Sequence, residues 1–369
     1  MIDLIKDFRN SETIRGYALQ IHELCGKFGI KANFMEVCGG HTHTIAKYSL
    51  EKLLPSDIRF IHGPGCPVCI LPKQRVDHAV KLSELENTIL ITTGDMIRVP
   101  GTEKSLEKAR AEGRDVRSVY SPLDVIETAE KNPDKKVIYF AIGFETTIPS
   151  TAILVKKTVE KKLDNLFFYV SHVLVPPALE ALLSDPSHNI NGFLMPSHVS
   201  VITGSEIYRP FSSMHKMPVV VGGFEPADIM ESVYMLVMQL SEHRHDLEIQ
   251  YDRCVSGEGN TKAWDLVNQY FTPEDKFEWR GPGFIEKSSL RLRDEYDRFN
   301  AAKVFKEFLT DVPSEDHRLC LCADILRGKK RPEECKVFGT RCTPDDPLGA
   351  CMVSGEGACA AYYKYGNAP

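Results

Sequence analysis

Two rhythms of apolar and polar positions alternate along the 369 residues. Short runs rich in β-branched and aromatic residues read as strands: "NFMEV" (33–37), "IRFIH" (58–62), "TILITT" (88–93), "RSVYS" (117–121), "KVIYFAI" (136–142), "LFFYVS" (166–171), "GFLMP" (192–196) and "PVVVGG" (218–223). Between them, segments such as 73–86, 104–112, 122–131, 146–161 and 226–242 carry apolar residues at helical spacing. That alternation predicts an α/β fold with parallel sheets joined by right-handed crossovers, and the strands are numerous enough for two sheets. Polar, turn-rich stretches at "EKNPDKK" (130–136) and "SGEGNTK" (256–262) suggest boundaries. They give a first α/β domain over 1–135, a second over 136–255, and a small irregular C-terminal domain over 256–369. In the last of these, "EWRGPGFIEKS" (278–288) reads as strand and turn, and a helical stretch lies around 300–310.

Polar constellations fall where a strand hands over to a helix: "CGGHTH", "GPGCPVC" and "TGD" in the first part, then "GFETT", "SH" (171–172), "PSH" and "GGFEP". Ligands of open parallel sheets bind outside the carboxyl ends of the strands, so these segments are expected to converge on one cleft. Turn and helix-cap roles account for residues such as Thr146 or Asp95, but not for thiols and imidazoles gathered at the same edge. Short repeats in "GFETT" and "GFEPA" each follow an apolar strand and open a helix.

Composition narrows the classes. With 43% apolar and 26% charged residues the chain exceeds one comfortable domain. The net charge is −6, Lys and Arg are dispersed, and no basic run is longer than "GKKR" (328–331), so nucleic acid is not an expected partner. No apolar run approaches a membrane span, and "MIDLIKDFRNSETIR" lacks the features of a signal peptide, so a cytoplasmic location is expected and no membrane partner. In a reducing compartment, eleven cysteines point to metal or redox chemistry rather than to a disulfide framework. Cys25 and Cys254 stand apart from the clusters and read as buried bystanders.

Three thiol groups carry the candidate chemistry. Cys38 precedes a helix expected to start near Thr42, where free N–H groups favour a thiolate, able to act as nucleophile or soft metal ligand. His41 and His43 beside it could bind metal or move protons. Cys66 and Cys69 form a C-x-x-C in a loop stiffened and exposed by proline and glycine, suited to a thiol–disulfide couple or to half of a zinc site. In the tail, Cys322, Cys335, Cys342 and Cys359 form a C-x12-C-x6-C-x16-C pattern that suits an iron–sulfur cluster or a four-thiolate zinc site; on spacing alone Cys320 or Cys351 could replace a neighbour.

"MEVCGGHTHTI", "GPGCPVC", "GFETT", "PSHVSVITG" and the terminal "CKVFGTRC" and "GACAAYYKY" together resemble the HypD family of hydrogenase maturation factors, from about residue 30 to the end. The resemblance implies a scaffold for the Fe(CN)2(CO) group of [NiFe] hydrogenases, with redox activity rather than conventional turnover. It implies work with a HypC-type small chaperone and cyanide received from a HypE-type protein. Cys38 would hold the iron, and Cys66 and Cys69 would be the redox pair. Cys322, Cys335, Cys342 and Cys359 would ligate a [4Fe–4S] cluster, with Cys320 and Cys351 outside that set. His41, His43, Glu145 and His198 become candidates for proton handling or for orienting bound diatomics. Two other readings of the residues stand beside it: an iron–sulfur-dependent protein disulfide reductase, and a structural zinc protein.

Overall fold

The computed structural model describes residues 7–310 and 316–366. Its strands, in chain order, are β1 (Ala32–Glu36), β2 (Ile58–His62), β3 (Thr88–Thr92), β4 (Asp115–Ser118), β5 (Lys136–Gly143), β6 (Leu166–Val173) and β7 (Gly192–Pro196). They continue with β8 (Val219–Gly222), β9 (Leu247–Ile249), β10 (Phe271–Pro273), β11 (Lys276–Trp279), β12 (Gly283–Glu286) and β13 (Ser289–Leu292). One five-stranded sheet runs β2-β1-β7-β8-β9, parallel throughout. A six-stranded sheet runs β10-β13-β6-β5-β3-β4, parallel from β6 to β4 and closed on its other side by antiparallel β13 and β10. β11 and β12 make a separate hairpin within the stretch expected to be strand and turn. The α/β expectation holds, because the apolar runs are buried on both faces: β3 and β7 have no exposed residue.

The expected cuts at 135 and 255 do not follow the sheets. β4 and β5 lie on either side of β3 in one sheet, so position 135 falls inside it, and β10 and β13 from beyond 255 complete that same sheet. The five-stranded sheet takes β1 and β2 from the front of the chain and β7 to β9 from its middle. Apolar periodicity reports strands, not which strands pair, so a chain that leaves a sheet and returns to it looks like two consecutive domains.

In the five-stranded sheet the chain runs outward from β1 to β2 on one side and from β7 to β9 on the other, which makes the boundary between β1 and β7 a topological switch point. The carboxyl ends flanking that boundary deliver "CGGHTH" and "PSH" side by side. The tail does not stand apart: its buried residues, Cys322 to Tyr362, share one apolar core with Cys66, Val68 and Ile70 of the loop after β2. No helix among the described residues is long and apolar enough to cross a membrane.

Candidate functional site

β1 ends at Glu36, and the following helix, Gly39–Lys47, starts earlier than expected, with Cys38 itself as N-cap. Two consecutive glycines discouraged a helical start in the sequence, yet Gly39 is required by packing: a Cβ there would run into the Glu356 backbone. The Cys38 thiol accepts from the Gly40 N–H at 3.3 Å and lies 3.7 Å from Nδ1 of His198, the second residue of the helix Ser197–Thr203 that follows β7. Phe224, from the loop after β8, stacks against both His41 and His198, with ring centroids 4.7 and 5.2 Å away.

The thiolate expected at Cys38 is not what this environment favours. Burial pushes the thiol well above its ordinary range, the Glu356 and Glu36 charges push in the same direction, and the N–H groups of Gly40 and His41 oppose them only in part. Desolvation outweighs the helix terminus, so the resting residue is a neutral thiol.

His41 is fully buried, and its Nε2 faces the Gly222 and Gly223 carbonyls at 3.2 and 3.1 Å, which requires that Nε2 carry the hydrogen. Nδ1 is left as a buried lone pair with no partner among the described residues. Burial lowers the pKa of His41 and of His198 to about 4, so both rings are neutral near pH 7. His43 points to the open side, with Nε2 3.3 Å from the Tyr365 hydroxyl. Glu145 does not join this group directly: it is buried, its Oε1 accepts from the Val175 N–H at 2.8 Å, and its Oε2 has no partner among the described residues. Burial pushes its carboxyl up to about 7. Buried Tyr208 is close enough to both Glu145 and Cys38 for their charges to raise its phenol further.

Both sheets contribute to one cleft of about 730 Å³ in front of this group. Gly39, Gly40, His43 and Phe224 line it from the five-stranded sheet, Thr93, Asp95 and Tyr120 from the six-stranded one, and Ser354 and Glu356 from the tail. The expected convergence of strand-end loops is thus partial: "CGGHTH", "TGD", "GGFEP" and Val68 of "GPGCPVC" line the cleft across two sheets and "PSH" reaches Cys38 behind it, whereas "GFETT" and "SH" (171–172) do not line it. A cleft of about 670 Å³ elsewhere, lined by Lys81, Lys136, Phe305 and Phe308 among others, presents no thiol or imidazole.

Cys66 and Cys69 are joined by a disulfide, with Cα atoms 5.2 Å apart. Cys66 caps the short helix Pro67–Ile70. Both sulfurs are buried rather than exposed, 3% and 0% accessible by residue, which corrects the expectation of an open loop. Proline and glycine stiffen the segment but do not decide what covers it. The tail does: the Cys69 sulfur lies 4.0 Å from the Ala350 carbonyl, and Gly65 sits so tightly against Val37 and Cys38 that a Cβ would overlap their backbone.

Cys322, Cys335, Cys342 and Cys359 meet in a single pocket, as their spacing suggested, but Cys320 and Cys351 line it too. Its other walls are Leu321, Ile325, Val337, Phe338, Gly349 and Met352. Among the described residues no three His, Cys, Asp or Glu side chains form a ready site for one metal ion. Cys25 is buried as expected, whereas Cys254 is exposed. Glu36 and His62 belong to the site and escaped the sequence reading: as the last residues of two apolar strands they looked like strand ends, and only the register that pairs them exposes the connection.

Thiols and neutral imidazoles gathered at the carboxyl edge of one parallel sheet, facing a second sheet across a cleft, define an α/β protein with a thiol-based site. The chain belongs to the HypD family: residues 12–366 match the family model HypD, described as "Hydrogenase formation hypA family". It is similar to hydrogenase maturation factor HypD2 of Bradyrhizobium diazoefficiens, 48% identical over 341 residues, spanning 90% of this chain and 89% of that protein. Hydrogenase maturation factor HypD of Azotobacter vinelandii is 44% identical over 371 residues, 98% of this chain and 97% of its own. HypD of Escherichia coli is 44% identical over 331 residues, 90% of this chain and 88% of its own.

Proposed function

We propose that this protein is the scaffold on which the Fe(CN)2(CO) group of [NiFe] hydrogenases is assembled, with the iron as cargo held by Cys38. The observation that carries the reading is the Cys38 thiol at the switch point, 3.7 Å from His198, behind a cleft lined by both sheets. A soft sulfur suits low-spin iron with strong-field ligands. Binding iron releases the Cys38 proton, which burial otherwise holds in place, and His198 is the nearest base to receive it. Nδ1 of His41, with no partner among the described residues, is a second fixed acceptor. A HypC-type chaperone would supply the other protein thiolate to the iron, and a HypE-type protein the cyanide. The open cleft beside His43 and Tyr120 is where such partners would approach.

The tail pocket fits a [4Fe–4S] cluster by its chemistry: apolar walls and thiols, with no carboxylate or imidazole lining it. A cubane spreads its four thiolates apart, unlike a single ion, so the lack of a ready mononuclear site does not count against it. Cys322, Cys335, Cys342 and Cys359 would hold it, and its contribution would be electrons delivered singly. Cys320 lines the same pocket and has a comparable claim to the place given to Cys322. The Cys66–Cys69 pair, packed between Cys38 and the tail, would store two electrons. Burial of both sulfurs favours an internal redox role over reduction of a passing protein disulfide.

The test is anaerobic purification of the Cys38→Ala protein in complex with a HypC-type partner. The infrared bands of iron-bound cyanide and carbonyl should vanish while the fold and the tail chromophore persist. Cys38→Ser should do nearly as badly, a hydroxyl being a poor ligand for this soft centre. Full-intensity bands from Cys38→Ala would remove the basis of the reading.

A further inference from the structure

We propose that Glu36 and His62 form a positioning unit that holds Cys38 in its working orientation; the proposal rests on the reading of Cys38 as the iron anchor. Glu36 and His62 are register partners, the last pair of the parallel strands β1 and β2. The Glu36 carboxylate takes the Cys38 N–H on Oε2 at 3.2 Å, and on Oε1 it takes the Thr42 hydroxyl and Nδ1 of His62, the latter at 2.6 Å. These side chains are all buried: Glu36 is 1% exposed, His62 3% and Thr42 3%.

An N-cap residue usually has its own N–H satisfied by the side chain of the third helical residue. Here that residue is His41, whose ring is committed to the Gly222 and Gly223 carbonyls, so Glu36 meets the need from the strand instead. Its carboxylate joins the backbone of Cys38, the helix carrying His41 and His43, and the neighbouring strand. A buried carboxylate is expensive even when paired, and an apolar residue would serve β1 as well; what Glu36 adds is a fixed Cys38. The His62 ring meets Tyr362 edge-on with centroids 5.2 Å apart, so the helix Ala358–Tyr365, which contains Cys359, seals the unit from the tail side.

The experiment is peptide-resolved alkylation of the reduced full-length protein with iodoacetamide, reading Cys38 against Cys25, which is buried in the core below the same sheet. Glu36→Met keeps the side chain's bulk and removes both acceptors. It should raise the Cys38 rate about tenfold relative to Cys25, the scale for loss of a hydrogen bond to a charged group. Glu36→Gln, which retains one carbonyl oxygen for the Cys38 N–H, should stay within about twofold of wild type. In the wild-type protein, native-state hydrogen exchange should find the Cys38 amide protected, a measurement that needs no variant. An unchanged Cys38 to Cys25 ratio in Glu36→Met would overturn the proposal. So would equal acceleration of both thiols with a lowered melting temperature, or a freely exchanging Cys38 amide. Absence of iron–cyanide bands from the wild-type partner complex would instead sink the iron reading, and the alkylation ratio would still decide the role of Glu36.

Discussion

Glu145 shows how burial sets the behaviour of single residues in this protein. Its carboxyl, ordinarily near 4.5, is pushed up to about 7 by desolvation. A raised folded value means that its contribution to stability is complete below pH 4.5 and is lost as pH rises through 7, at about 1.4 kcal/mol per pH unit in between. Glu145→Gln removes this dependence while its amide oxygen can still accept from Val175. The variant and wild type should therefore be equally stable below pH 4.5, and the variant should gain progressively up to about pH 7, as denaturant titrations at several pH values would show. His41, His172 and His198, whose pKa values burial lowers to about 4, destabilise both proteins as pH falls below 6.5 and cancel in the difference. A constant difference across the range would mean that Glu145 ionises normally. In the sequence Glu145 was one polar residue of a strand-end motif; its burial and its bond to the Val175 N–H depend on a helix thirty positions away.

At the scale of elements, the helix Pro67–Ile70 and its disulfide lie between two chemistries. Gly65 presses against the Cys38 backbone on one side and the Ala350 carbonyl meets Cys69 on the other. Cys69→Ser should leave the circular dichroism spectrum and the tail chromophore intact and stop hydrogenase maturation in a complementation assay, because the serine hydroxyl cannot store electrons. A Cys69→Ser protein that matures hydrogenase fully would reduce the loop to a structural turn. The elements themselves were largely legible. Seven of the eight sequence-predicted strands formed where expected, since runs such as "TILIT" and "KVIYFAI" are apolar on both faces and bounded by turns, whereas "RSVYS" overlaps β4 (Asp115–Ser118) only at Arg117 and Ser118. The three-residue strands β9 and β10 and the four-residue strand β13 were not, because segments that short carry too little periodicity to stand out.

For the whole molecule the decisive feature is how the tail closes over both sheets. Arg331 forks onto Glu51 at 2.8 and 2.7 Å, Arg98 reaches the Val353 carbonyl at 3.0 Å, and Ser354 meets Asp95 at 2.8 Å. A group bound by the tail thiols would cross-link this cover, so Cys335→Ala or Cys342→Ala should abolish the brown absorbance and increase proteolysis within the last fifty or so residues. The six thiols replaced one at a time should separate four ligands from two bystanders. Loss of the chromophore in Cys320→Ala with retention in Cys322→Ala would exchange those two in the ligand set.

The sequence by itself determined the α/β class, the main strands, and the concentration of thiols and imidazoles at strand ends, because these follow from local periodicity and residue chemistry. Its motifs also carried the family resemblance. Only the tertiary structure decided that the two sheets interleave along the chain, that Cys38 is held as a neutral thiol, that the Cys66–Cys69 pair is covered, and that Glu36 meets His62. Each of these depends on contacts between residues far apart in sequence, and on the water those contacts exclude, which no local pattern records.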